Sequence, residues 1–513
     1  MDDSQPVLAQ PGHSVGSRMA RGAAWMVALR SADHLLGFAS MLVLARLLVP
    51  EDFGLVALGM AVIGSLVAFS EFGFDAALIQ NQSAERRHYD TAWTLGLIRG
   101  LMLAGLLLLL AQPTAAAMGD ERLVELISVL ALVPLLEGLV NIGVVDFRKE
   151  LVFSREFLYR FSSRVGGVLA TLSLAYLWRD YWALVAGQLV TWSLRLLLSY
   201  VLHPFRPRLS LATWRDLFHF SKWILFNGII VVISKRMPTF MIGAFVNVSS
   251  LGIFSLSIDV ALLFARSFVA PIKRTFFPGY AKLTSDKPAF KAALLRAYSL
   301  VVLIAAPAAI GIGVTAELFV PLLFGEKWRD AVAIIEILSL LAFLGALEGQ
   351  VRPALLAIGR PDVNVYLSIA QAVTLAPLLT LGVLTFGVAG AAWATIASRF
   401  IELITEYYVL ERILRIRFIE LWRQIWRSLV SCAILWLGAS ALKNSFAPQA
   451  TETLAVLSYQ IASVVAGGIV IYVLSTIVLW WLSRRPFDSP ERTVIDFGKR
   501  YLLERWMIRT GNR

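Results

Sequence analysis

Ala45-Arg46-Leu47-Leu48-Val49-Pro50-Glu51-Asp52-Phe53-Gly54-Leu55-Val56-Ala57-Leu58 is the stretch on which the fold turns. An apolar run closes at Val49, a proline and two carboxylates make a short polar turn, and a second apolar run opens at once. A bilayer core about 30 Å thick takes roughly 20 apolar residues per helical crossing. Runs of that length recur on both sides of this turn, from Arg21 to Leu482. The composition agrees: 58% of the 513 residues are hydrophobic, 16% are charged, and the mean hydropathy is +0.71. Lipid is the solvent such a chain expects.

Marking apolar segments between turn and charge signals predicts an all-α polytopic protein of about fourteen transmembrane helices. The expected organisation is a tail over 1–21, an N-lobe over 22–202, a linker over 203–220, a C-lobe over 221–410, an amphipathic linker over 411–427, a helix pair over 428–482 and a basic tail over 483–513. Met1–Ser17 is polar and has no apolar core, so no cleavable signal peptide is expected. Alternate loops carry Arg86 and Arg87, Arg148 and Lys149, Arg206 and Arg208, Lys273 and Arg274, then Arg412, Arg415 and Arg417. The positive-inside rule assigns those loops and both termini to the cytoplasm.

The turn at Pro50–Leu58 has an echo in Asn247-Val248-Ser249-Ser250-Leu251-Gly252-Ile253-Phe254-Ser255-Leu256. Each is a short outer turn followed by glycine, apolar residues and leucine. Six crossings return the chain to its starting side, so a repeat of this kind implies two pseudo-symmetric six-helix lobes around a central cavity.

Ionisable groups inside the membrane cost about 2.5–3.5 kcal/mol each on insertion scales, so each needs a partner, water or a route to the interface. Arg30, Asp33 and His34 share a helical stripe with Gly37 and Ser40. Further stripes are Arg160, Arg164, Gly167 and Thr171; Gln188, Thr191 and Arg195; Ser255, Asp259 and Arg266; and Thr395, Arg399, Glu402 and Glu406. Arg160, Arg164, Arg195, Arg266 and Arg352 lie near expected helix ends, where snorkelling competes with a ligand role. Spacing also permits Glu348 to pair with Arg352, and Arg399 with Glu402, each along one helix. Arg30, Asp33, Lys235 and Asp259 lie deeper and are the stronger functional candidates. Basic groups outnumber acidic ones in these stripes, so a cavity lined by them suits an anion, and arginine forks match phosphate oxygens.

Other classes lose ground. The net charge of +12 is spread over short loops and not gathered on one face, so nucleic acid is not an expected partner. The single Cys432 sits in an apolar run and rules out a disulfide framework. No Gly-x-x-x-x-Gly-Lys-[Ser/Thr] run, zinc-ligand histidine spacing or Gly-x-Ser-x-Gly elbow occurs. A transporter without cofactor or metal is expected, with proton or sodium coupling left open. A membrane glycosyl polymerase and an ion-coupled efflux transporter stand as alternatives.

The opening stretch, with Phe69-Ser70-Glu71-Phe72-Gly73-Phe74-Asp75-Ala76-Ala77-Leu78-Ile79-Gln80, closely resembles the amino-terminal signature of the Wzx-like polysaccharide-export flippases. These form a branch of the multidrug/oligosaccharidyl-lipid/polysaccharide superfamily. Pro321-Leu322-Leu323-Phe324-Gly325-Glu326-Lys327-Trp328 is similar to that family's outer turn between its ninth and tenth helices. The signatures themselves read as fold-maintaining, with Pro50 and Gly54 turning the chain and Phe53 and Phe72 packing.

The resemblance implies alternating-access transfer of an undecaprenyl-pyrophosphate-linked oligosaccharide across a bacterial inner membrane, for exopolysaccharide, capsule or O-antigen synthesis. On that reading Arg30, Lys235, Arg266 and Arg399 hold the pyrophosphate, and Asp33 and Asp259 serve ion coupling or charge pairing. Arg30 and Arg266 fall on helices that broadly correspond to cationic helices of the related lipid-linked peptidoglycan precursor flippases. The final helix pair is expected to offer a groove to the polyprenyl tail. The implied partners are the lipid-linked substrate, membrane lipids, a polymerase and a chain-length regulator.

Overall fold

The computed structural model describes residues 32–70, 73–80, 83–150, 152–214, 232–269, 276, 279–348, 350–446, 454–484, 489–492 and 496. Among these residues the secondary structure is helical, with no strand. Eight helices are long and apolar enough to cross a membrane: Pro50–Phe69, Arg86–Met118, Trp182–Leu202, Lys287–Leu323, the broken span Ala331–Ala357, Pro361–Leu414, Phe418–Ser445 and Ala455–Leu482. A ninth arises if Arg122–Leu139 and Ile142–Lys149, bent by 71°, are taken as one crossing. The expected first and seventh crossings enter the described residues at 32 and 232 and run helically over 32–47 and 232–245. The Phe153–Trp178 helix is long enough but carries Arg155, Glu156, Arg160 and Arg164 in its first half.

The 54-residue Pro361–Leu414 segment joins two expected crossings. As one straight helix it would reach roughly 80 Å at 1.5 Å per residue. Gly387 breaks it with φ 57° and ψ −132°, backbone that glycine adopts without the Cβ clash. The arms fold back on each other, and Thr374 Oγ1 lies 3.3 Å from Ser398 Oγ across them.

The chain forms two compact units. The first comprises Met1–Leu48 and Val62–Ile229, the second Val49–Ala61 and Ile230–Arg513. In the first unit the Phe153–Trp178 and Trp182–Leu202 helices cross where Gly167 meets Thr191 and Gly187 meets Thr171. In the second, the core gathers around Tyr298, Val302, Ala306, Leu355 and Leu421, all buried. Long apolar side chains such as Leu109, Val201 and Phe386 stay exposed, as lipid-facing residues do.

The Pro50–Leu58 turn, its echo at Asn247–Leu256 and the Pro321–Trp328 turn come together inside the second unit, while the Phe74–Gln80 helix belongs to the first. Asp52 Oδ2 accepts from the Val49 amide at 3.0 Å, and Asn247 Oδ1 accepts from the Ser250 amide at 2.7 Å, so both echoing helices begin on a capped turn. Those helices then touch backbone to backbone. A β-carbon on Gly54 would stand 1.8 Å from the Val248 carbonyl oxygen, and one on Gly252 would stand 1.7 Å from that of Pro50. Phe53 packs edge-on against the fully buried Trp328, with ring centroids 5.1 Å apart. The repeated glycines are therefore a crossing point, and the family-like turns are parts of one core.

Candidate functional site

A cavity of about 530 Å³ opens within the first unit. Its walls come from the Arg86–Met118 helix, the Leu132–Leu139 helix with the turn that follows it, and the Phe153–Trp178 and Trp182–Leu202 helices. Its charged lining is Arg99, Arg148, Arg160 and Arg195 against Asp75 and Glu137, so the basic groups exceed the acidic ones by 4 − 2 = 2. Trp93, Trp192 and Tyr159 supply aromatic surface.

Most of these arginines are tied to carboxylates. Arg148 Nη2 lies 2.7 Å from Asp75 Oδ2, and its Nε lies 3.5 Å from Glu156 Oε1. Arg160 Nε lies 3.0 Å from the same Glu156 oxygen, and Arg99 Nη2 lies 3.4 Å from Glu137 Oε1. Arg195 differs. Its guanidinium stacks over the Trp192 ring at 4.7 Å, and its buried Nε has no acceptor among the described residues. A guanidinium held by a ring face keeps its N–H edge available, which is the geometry that receives phosphate or carboxylate oxygens.

Asp33 belongs to the same neighbourhood. Arg164, Arg195, Arg160 and His34 act on it electrostatically, while its buried Oδ1 accepts no hydrogen bond among the described residues. Arg164 Nη2 lies 3.7 Å from where a β-carbon of Gly37 would stand, one turn along the same helix. The expected stripe of Asp33, His34 and Gly37 thus faces the arginine-bearing Phe153–Trp178 helix. Arg30, the remaining charged member of that stripe, lies outside the described residues.

The other expected site residues fall in the second unit. Asp259 and Arg266 bond to each other, with both side chains about half exposed and Arg266 in the π-helical turn Ala265–Val269. Lys235 is exposed. Arg399 Nη1 contacts Glu402 Oε2 at 2.8 Å and Glu348 Oε2 at 3.2 Å. The Arg399–Glu402 pair is the one that spacing suggested. Glu348 does not pair with Arg352, because the helix breaks between Leu347 and Val351 and leaves Glu348 in extended backbone. Arg352 instead reaches Glu402 Oε1 at 2.5 Å, Glu406 Oε1 at 3.2 Å and Ser368 Oγ at 2.9 Å.

Of the expected anion ligands, then, Arg266 and Arg399 direct their guanidiniums at carboxylates. Arg195 and Arg160, which sequence reading set aside as equally consistent with snorkelling, line the basic cavity. The Gln188–Thr191–Arg195 stripe was the available signal, and Trp192 beside Arg195 was the part of it left unread. Among the described residues no group of three or more His, Cys, Asp or Glu side chains is placed to hold a metal ion.

A family model described as "Polysaccharide biosynthesis protein" matches residues 43–333. The lipopolysaccharide biosynthesis protein WzxC of Escherichia coli (strain K12) is 24% identical over 443 residues, which cover 85% of this chain and 90% of that one. The succinoglycan biosynthesis transport protein ExoT of Rhizobium meliloti (strain 1021) is 27% identical over 328 residues, covering 62% of this chain and 65% of that one. Among solved structures, the lipid II flippase MurJ in an inward closed conformation aligns with a TM-score of 0.68 at 11% identity, covering 88% of this chain and 98% of that one. At that identity the likeness is one of fold.

Proposed function

This chain belongs to the polysaccharide biosynthesis protein family, and from that premise we propose that it is a flippase for a lipid-linked oligosaccharide. It takes an undecaprenyl-pyrophosphate-linked repeat unit from the inner leaflet of a bacterial inner membrane to the outer leaflet, with both termini in the cytoplasm. The related ExoT is described as a transport protein and the structural neighbour MurJ as a lipid II flippase, which supports transfer over catalysis.

The observation that carries the reading is the basic cavity of the first unit. Its volume lies within the roughly 300–1,000 Å³ of small-ligand sites, the scale of a headgroup and not of a finished polymer. The Arg195 guanidinium, which lines the cavity with its Nε unpartnered among the described residues and with Arg160 and Arg164 nearby, offers charge-assisted hydrogen bonds to a pyrophosphate. Trp93 and Tyr159 offer surfaces on which a sugar ring can lie. Asp33 tempers the cluster, so that an anion is held without being trapped. Outward movement of an anion gains about 2.3 kcal/mol per charge per 100 mV of inside-negative potential. Arg266 and Arg399 then act through their carboxylate partners in keeping the second unit folded.

The test is transfer in proteoliposomes of a polyprenyl-pyrophosphate lipid bearing a fluorescent sugar, read as loss of signal to an external quencher. A hydrogen bond to a charged group is worth about 1.5–3 kcal/mol, so Arg195→Ala and Arg160→Ala should each slow transfer about tenfold or more. Wild-type rates in both variants would remove the site. A wild-type rate no faster than protein-free liposomes would remove the flippase.

A further inference from the structure

The amphipathic stretch over 411–427 lies in the second unit and has no part in the basic cavity of the first. The Pro361–Leu414 helix ends there, the chain turns at Arg415 with φ 52° and ψ 39°, and the next helix starts at Phe418. Ile416, Leu421 and Ile425 point into the second unit's core. The opposite side carries Phe418, Ile419 and Trp422, exposed at 54%, 49% and 42%. Phe418 stacks on Trp422 with ring centroids 6.2 Å apart and meets Tyr407 edge-on at 5.8 Å. Beside this ridge stand Arg412, Arg415, Arg417 and Arg423, all exposed. Arg412 sits over the Tyr408 ring at 5.4 Å, and none of the four forms an ion pair among the described residues. Acidic groups are scarce: Glu411 is exposed, and Glu420 is taken by Lys291 Nζ at 2.6 Å.

Depth identifies what surrounds this patch. The Phe418–Ser445 helix is long and apolar enough to cross a membrane, but a bilayer core requires only roughly 20 of its 28 residues. Glu420, Arg423 and Arg427 all precede Ser428, and Lys443 stands near the far end, so the membrane-embedded part is the middle and 418–427 extends into the headgroup layer. Rings and guanidiniums exposed side by side suit that layer, with the rings at the boundary of the acyl chains and the charges among phosphates. We propose that the 408–423 patch binds the headgroup of an anionic phospholipid. Arg412, Arg415, Arg417 and Arg423 supply the charge, and Phe418 and Trp422 supply the apolar contact. A zwitterionic headgroup carries its own cation and leaves the basic excess unmet. A free phosphate offers nothing to the exposed rings. A lipid held here fixes the joint between two membrane helices at headgroup level, whether or not the chain moves a lipid-linked sugar.

The test therefore needs no transport. Full-length protein in phosphatidylcholine nanodiscs receives a trace of photoreactive phosphatidylglycerol, and labelled peptides are mapped by mass spectrometry. Label should concentrate on 408–427, and unlabelled phosphatidylglycerol should displace it while inorganic phosphate does not. A photoreactive phosphatidylcholine should label that stretch far less. A basic residue beside an anionic surface is worth about fivefold in affinity, so Arg417→Gln with Arg423→Gln should lower the label at least about tenfold. Arg329→Gln removes the same charge from an exposed turn elsewhere in the second unit and should leave the label unchanged. Equal labelling by the two lipids, or displacement by phosphate, overturns the proposal on the wild-type protein alone. Label that survives the double substitution, or that falls as far in Arg329→Gln, overturns it as well.

Discussion

Replacing Gly54 with alanine tests whether the glycine crossing holds the second unit together. The new β-carbon would stand 1.8 Å from the Val248 carbonyl oxygen, 2.8 Å from its carbon and 2.9 Å from the Gly252 nitrogen. Ordinary contact begins near 3.4 Å, so the two helices must part by 3.4 − 1.8 = 1.6 Å. All three obstructing atoms are backbone, and no rotamer change relieves them. Overpacking of this kind costs about 1–3 kcal/mol, and with the edge-on Phe53–Trp328 contact pulled open as well, the upper end is expected. Alanine's better helix propensity returns up to about 1 kcal/mol. Gly105→Ala isolates that term, since nothing lies within 4 Å of its β-carbon. Reversible unfolding in mixed micelles, followed by tryptophan fluorescence, should place Gly54→Ala about 3 kcal/mol below Gly105→Ala. Gly252→Ala meets the same obstruction from the other side. Once one substitution has parted the helices the second costs less, so the double variant should lose less than the sum. Equal stability of Gly54→Ala and Gly105→Ala, or strict additivity of the pair, would refute the crossing.

Two further outcomes follow from individual contacts. Arg195→Lys keeps the charge but loses the planar stack on Trp192 and the forked donors, so transfer of the fluorescent lipid should fall well below wild type; an unchanged rate would mean that charge alone matters there. Arg427 and Glu491 form a two-point ion pair, at 2.9 and 3.2 Å, with both side chains nearly fully buried. Glu491→Gln leaves that guanidinium uncompensated at a cost of about 3–5 kcal/mol, so amide exchange over 489–492 should accelerate while the 298–306 core stays protected. Wild-type protection at 489–492 would contradict this.

How far the sequence reaches is clearest at particular residues. Periodicity and hydropathy identify the helices because a bilayer leaves the backbone no other way to satisfy its hydrogen bonds. The count of about fourteen crossings goes beyond the eight or nine seen among the described residues. The echo of Gly54 in Gly252 was legible as a repeat, and so was the packing role of Phe53. That these glycines meet each other, and that Phe53 meets Trp328, was not legible, because the partners are about 200 residues or more apart in the chain.

The charged residues divide along the same line. Spacing gave Arg399 with Glu402 correctly, since residues three apart on one helix are neighbours whatever surrounds them. It misplaced Glu348, because a helix break moves the carboxylate off the stripe and over to Arg399. Depth placed Arg195 and Arg266 alike near helix ends and the resemblance favoured Arg266, because the presence of a carboxylate opposite cannot be counted from sequence. By itself, then, the sequence determined an all-helical membrane protein, its repeated capped turns and a basic excess among its membrane charges. Tertiary structure alone decided which charges are matched and which are left over, since burial makes a charge seek a partner across helices, and only packing brings that partner within reach.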